Sequence, residues 1–124
     1  MSFIGTFYTW VNAQTWAPDI SFDVKEKNPP DPYYTLSPVA DAGSTGEFCG
    51  SDSGQTIIRF DGYGTDKVTL FDAMDALRKN VIKARNAIAG YTLWHVHATG
   101  VIGFQTEDVR IYRYTFDLET MWRG

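Results

Sequence analysis

Residues 56–65, Thr56-Ile57-Ile58-Arg59-Phe60-Asp61-Gly62-Tyr63-Gly64-Thr65, run directly into the segment Val68–Ile88, and this junction decides the fold. Thr56 to Phe60 is a β-branched and aromatic run that reads as a short strand. Asp61-Gly62-Tyr63-Gly64 reads as the turn that ends it. Beyond it, Leu70, Met74, Leu77, Val81, Ala84 and Ile88 recur at alternating steps of four and three, which lines them up on one side of a helix. Phe71 and Ile82 widen that stripe. Thr65 or Asp66 supplies an N-cap and Gly90 a stop, so a helix is expected over about 66–89. Asp66 and Asp72 early and Lys83 and Arg85 late complement its dipole.

Working outward, Tyr91 to Thr99 is β-branched and aromatic and reads as a strand, followed by a turn-like or irregular stretch over 100–107. From Val109 to Trp122, Tyr112, Tyr114, Phe116, Leu118 and Trp122 share one parity while Arg113, Thr115, Asp117 and Glu119 take the other. That is a strand with one apolar and one charged face. On the N-terminal side, residues 41–55 contain four glycines and three serines and read as a long flexible loop. Tyr33 to Ser37 forms a strand before it, with Pro38 marking an edge or an ending. Asn28-Pro29-Pro30-Asp31-Pro32 forces an extended turn. Ile20, Phe22 and Val24 alternate with polar neighbours as a half-buried strand. Phe3, Phe7, Trp10 and Val11, with Ile4, give residues 2–14 a helical stripe capped by Ser2, although Thr6, Tyr8 and Thr9 would equally suit a strand.

The expected fold is therefore α+β: a mainly antiparallel sheet of four to five strands, with one long helix and a short N-terminal helix packed on it. At 124 residues the chain is read as one domain spanning 1–124. Aromatic residues make up 15% of it, enough for a core with some left for an interface.

A net charge of −4 is poorly suited to holding a phosphate backbone. The densest basic stretch, Arg78, Lys79, Lys83 and Arg85, has Asp72 and Asp75 beside it and reads as a solvated helix face. The first residues lack the charge and apolar run of a signal peptide. No stretch is long and apolar enough to read as a membrane span, so a soluble protein made in the cytoplasm is expected.

Candidate chemistry is sparse. His95 and His97, two apart on a strand, share a side and could reach one ion, but a third ligand is missing unless Glu107 or Asp108 folds back. Cys49, the single cysteine, sits between Glu47 and Asp52, which opposes thiolate formation. Asp72 and Asp75 lie on a polar helix face. Gly62-Tyr63-Gly64 lacks the remaining elements of a phosphate-binding loop. No catalytic, cofactor or metal site is expected, and the chain is read as a non-enzyme.

The order of elements, together with several local sequences, resembles the tail terminator (tail-completion) proteins of long-tailed bacteriophages. The resemblance rests on Ile20–Val24, on Pro29-Pro30-Asp31-Pro32-Tyr33-Tyr34-Thr35-Leu36, on the junction from Ile57 to Thr65 leading into Val68–Ile88, and on Tyr114-Thr115-Phe116-Asp117-Leu118-Glu119. It spans nearly the whole chain, although the N-terminal helix is shorter than the family leads one to expect. It implies a structural virion protein at the head-proximal end of the tail. Its copies would form a hexameric ring that caps the tail tube and joins it to the head connector or stopper. DNA would pass through the lumen without specific binding, with no cofactor and no membrane. Candidate interface residues are Glu47, Phe48 and Asp52 in the loop, which could order on a partner, and Arg113, Asp117 and Glu119 on the charged strand face. Alternatives are another head–tail or tail tube subunit, a small ligand-binding α+β domain using the sheet near His95 and His97, or an enzyme with an unrecognised site.

Overall fold

A computed structural model describes residues 2–22, 30–45, 52–106 and 110–124, with the backbone alone at 41–45, 52 and 105. Its elements are α1 (Phe3–Asn12), β1 (Ile20–Phe22), β2 (Tyr33–Thr45), β3 (Asp52–Gly64), α2 (Lys67–Val81), a 3-10 helix (Ile82–Asn86), β4 (Thr92–Ala98), β5 (Ile102–Gln105) and β6 (Tyr112–Arg123). The fold is α+β, as expected. The sheet has six strands in the order β1-β2-β3-β6-β4, with β5 also pairing β6. All pairings are antiparallel except β1 with β2.

Both helices lie on one face of this sheet. Even-numbered residues of β3 and β6 point toward them, so Ile58, Phe60, Phe116, Leu118 and Trp122 are buried together with Leu36 of β2. Phe60 and Phe116 stack with centroids 4.9 Å apart, Phe7 of α1 meets Phe60 edge-on, and Phe3 stacks on Trp122. Two threonines in this layer are satisfied internally: Thr120 Oγ1 donates to the Thr56 carbonyl (2.7 Å), and Trp122 Nε1 donates to Thr56 Oγ1 (3.0 Å). A buried hydroxyl paired in this way avoids the desolvation cost of an orphaned one.

The N-terminal segment is helical. Ser2 caps it by accepting from the Gly5 amide (3.2 Å), and Phe3, Phe7 and Val11 are its buried stripe. The strand-prone threonines are absorbed, because Thr6 and Thr9 donate back to the carbonyls four residues earlier. The Asn12 side chain then accepts from the Ile20 amide and donates to the Ile20 carbonyl, holding β1 against the helix end.

Three expectations for the sheet are corrected, and one is decided between its two alternatives. Asp61-Gly62-Tyr63-Gly64 is not a turn but the end of β3, paired residue by residue with β2 and β6. The glycines serve close packing instead: a Cβ on Gly62 would lie 2.6 Å from Met74 Sδ, and one on Gly64 would lie 3.1 Å from Asp31 Oδ1. The expected loop over 41–55 is largely a β-hairpin, since Asp41 to Thr45 pair with Thr56 to Asp52; residues 46–51 lie outside the described residues. Pro38 does not end β2, which runs on to Thr45, but it does lie at an edge, the other of the two readings. It falls beyond the reach of short β1, which pairs only as far as Leu36, and next to a bulge at Val39, so its missing amide proton is tolerated. Finally, the irregular stretch after β4 contains β5, which adds a strand to the expected four or five. The chain from Ala98 to Ile102 has one residue more than the facing run of β6. Thr99 closes that bulge by donating its amide to the Asp117 carbonyl and accepting the Asp117 amide at its hydroxyl, both at 2.9 Å.

The main helix starts where expected. Asp66 accepts from the Thr69 amide (3.1 Å) and the Thr69 hydroxyl (2.9 Å). It ends as an α-helix earlier than expected, at Val81, and tightens into the 3-10 helix. With three residues per turn there, Val81 and Ala84 stay in line and both remain buried. Ile82 therefore faces outward at 47% exposure instead of widening the stripe. Phe71 is also partly exposed and lies edge-on against Tyr114. Gly90, at φ +82°, reverses the chain into β4.

Candidate functional site

The face of the sheet opposite the helices carries the residues with chemical potential. Strand register arranges them in rows that cross the sheet. One row runs Phe104, Arg113, Tyr63, Tyr33 across β5, β6, β3 and β2. Tyr33 and Tyr63 stack at 4.7 Å, and the Arg113 guanidinium lies 5.9 Å from the Tyr63 ring centre and 5.3 Å from that of Phe104. A cation between two ring faces is held both electrostatically and by packing. The next row places Ile102, Thr115, Asp61 and Thr35 side by side. Here Asp61 accepts from Arg113 Nε at 2.9 Å, and Thr115 donates to the Phe60 carbonyl at 3.0 Å.

In the third row Arg59 stands directly opposite Asp117 and grips it with two hydrogen bonds of 2.9 and 3.2 Å. That bond raises the Arg59 pKa above its ordinary value, so the guanidinium stays charged at any relevant pH. In the fourth row His97 faces Glu119, which faces Ile57. His95, one row further on, has its Nε2 4.0 Å from Glu119 Oε2, too far for a hydrogen bond. The carboxylate that the histidine pair lacked in the sequence reading is therefore a cross-strand neighbour. Even so, among the described residues no group of three or more His, Cys, Asp or Glu is placed to hold a metal ion.

The six expected interface residues separate into two sets. Arg113, Asp117 and Glu119 lie together on this open face, as the alternation along β6 predicts. Glu47 and Phe48 lie outside the described residues, as do Cys49, Glu107 and Asp108, and Asp52 is placed by its backbone alone, at the start of β3. The reading of the sequence missed Arg59 and Asp61, which partner Asp117 and Arg113, and Ile102 and Phe104, which border them. The only local signal was the same period-two pattern in Ile57, Arg59 and Asp61.

The other candidates resolve as surface features. Asp75 accepts from Lys79 (2.9 Å) and Arg78 (3.4 Å), and these bonds hold its carboxyl below the usual range. It is thus an ion-pair acceptor on a solvated helix face, not a proton donor. A depression of about 170 Å³ on the open face is bordered by Arg59, Ile102, Phe104, Arg113 and Asp117. It is smaller than the roughly 300–1,000 Å³ of a typical small-molecule site. A groove of about 360 Å³ lies beside the start of α2, lined by Lys67, Gly103, Phe104, Tyr112 and Tyr114. His95 and His97 line neither.

No protein-family model matches the sequence, and no curated protein matches it. The fold does have solved counterparts. A chain from the virion of a native gene transfer agent particle matches it with a TM-score of 0.69, over 95% of this chain and 92% of that chain, at 13% identity. A match of that extent at that identity shows a shared fold.

Proposed function

We propose that this chain is a structural virion protein of a phage-like particle: the ring subunit that caps the tail tube and joins it to the head connector. The observation that carries this reading is the fold match to a chain of a gene transfer agent virion, which extends over nearly the full length of both chains. It supports a phage-like virion protein, while the ring and capping role rests on the element order and the strand–helix junction that resemble tail terminators.

The open face is suited to such a role. Arg113, Asp117, Arg59 and Asp61 are fixed by one another, so the face presents a set of charges whose geometry is settled before any partner arrives. Ile102 and Phe104, 55% and 48% exposed, add apolar surface beside them. Apolar anchors next to fixed charges are what a specific protein interface requires. In this reading the copies form a homo-hexameric ring through heterologous contacts, with the tail tube protein on one side and the connector or stopper on the other. The net charge of −4 suits a channel through which DNA passes without being held. The protein acts without cofactor or catalysis, and its place is the head-proximal end of the tail.

Deletion of the gene from the particle-producing genome, followed by negative-stain imaging of the lysate, tests the reading. Overlong tubes beside unattached, DNA-filled heads are expected. Tails of normal length joined to heads would remove the terminator role and favour a different structural subunit or a ligand-binding domain.

A further inference from the structure

Trp94 is 63% exposed on β4, at the end of the sheet order. It is the extra residue of a bulge: Leu93 pairs with Trp122 and His95 with Met121, so Trp94 has no counterpart on β6. A bulge on an outer strand re-aims a side chain away from the regular alternation. Here it presents an indole, the side chain most often found to dominate interface energy.

At the opposite end of the sheet, β1 and the start of β2 border a pocket of about 190 Å³ lined by Pro18, Asp19, Pro30, Pro32, Tyr33 and Tyr34. Flat proline and tyrosine surfaces suit an indole, and the exposed Asp19 carboxylate is an acceptor for the indole N–H, which can only donate. Among the described residues, charge agrees with this pairing. Arg123 stands opposite Thr92 on the Trp94 side, and exposed Lys83 and Arg85 belong to the 3-10 helix packed against β4. The pocket side carries exposed Asp19 and Asp31.

Within one chain the two features cannot meet. They are four strand spacings apart, roughly 19 Å at ~4.8 Å each. The pocket also sits level with Tyr114 along the strands, whereas Trp94 sits level with Trp122. We propose that the Trp94 indole of one copy of this chain docks in the proline–tyrosine pocket of the next. When the knob of one copy enters the socket of the next without reciprocal exchange, the contact is heterologous and continues from copy to copy. This deepens the ring reading and rests on it, but is decided by a separate experiment.

The test is sedimentation velocity on the full-length chain over a concentration series reaching the millimolar range. Trp94→Ala and Asp19→Lys are expected to weaken self-association by about tenfold or more. Val68→Ala, which removes another exposed apolar side chain, should leave it unchanged. In a Cys49→Ser background, a Thr92→Cys copy mixed with a Ser21→Cys copy should cross-link to it through a short bismaleimide, and Trp94→Ala should abolish that product. Circular dichroism confirms that each variant is folded. No association in the series, association indifferent to Trp94→Ala, or Thr92→Cys copies linking to one another would each overturn the proposal. None of those results touches the tail phenotype of the deletion, so the virion reading stands or falls separately.

Discussion

The two faces of β6 are built from alternate residues of one strand, yet they differ in what they contribute. The even-numbered side chains, Tyr114 through Trp122, are closed under two helices in an aromatic layer, where each ring removes a large apolar area from water. On the odd-numbered side Arg113 and Asp117 are held by ion pairs: Arg59 and Asp117 remain 38% and 26% accessible, whereas Asp61, the partner of Arg113, is buried. An exposed pair such as Arg59–Asp117 contributes little to folding, typically below about 1 kcal/mol. What such pairs do provide is a fixed arrangement of charge. One face therefore holds the fold, while the other can be tuned toward partners at small cost to stability.

Substitutions test that division. The largest effect is expected from Phe60→Ala, which removes a fully buried ring stacked on Phe116 and meeting Phe7. A loss of about 3–5 kcal/mol is expected in urea unfolding. A loss under 1 kcal/mol would mean that the helix-covered face is not the source of stability.

Next is Gly62→Ala, on the same covered face. Its new methyl would sit within 2.6 Å of Met74 Sδ, so the helix side chain or the strand must move. A cost of about 1–3 kcal/mol is expected from overpacking, partly relieved by a second change, Met74→Ala. No relief in the double variant would indicate that strand pairing, not helix contact, demands glycine there.

Asp66→Ala tests the end of the covering helix. Hydrogen bonds from the Thr69 amide and hydroxyl hold the Asp66 carboxyl below its ordinary pKa. Because the folded value is the lower one, its stabilising contribution is complete above the unfolded value, near pH 4, and is lost as pH falls through the folded value. The variant should melt a few degrees lower at neutral pH, and the difference should shrink in acid. A constant gap down to low pH would contradict the cap.

The smallest effect is expected from Asp117→Ala on the open face, about 0.5 kcal/mol or less, and it should diminish further in high salt. A large, salt-insensitive loss would erase the contrast between the faces. The same variant should nonetheless impair assembly in the tail-length assay, if this face meets a partner.

The fold was legible in the sequence wherever structure repeats with a local period. The stripe from Leu70 to Ile88 and the alternation from Tyr112 to Trp122 each identify an element and its buried side, because helix and strand geometry alone place those residues together. For the same reason Arg113, Asp117 and Glu119 could be assigned to one face without coordinates. Their partners could not. Arg59 meets Asp117, and Asp61 meets Arg113, across a register between strands more than fifty residues apart in sequence. Tertiary pairing also overruled local composition. Asp61-Gly62-Tyr63-Gly64, the arms of the 41–55 hairpin and Ile102–Gln105 are all strands, because neighbouring strands satisfy their backbone groups whatever their own propensity. The bulge that turns Trp94 outward is of the same kind: it exists only as a mismatch in count between two paired strands, and nothing in either strand alone specifies it.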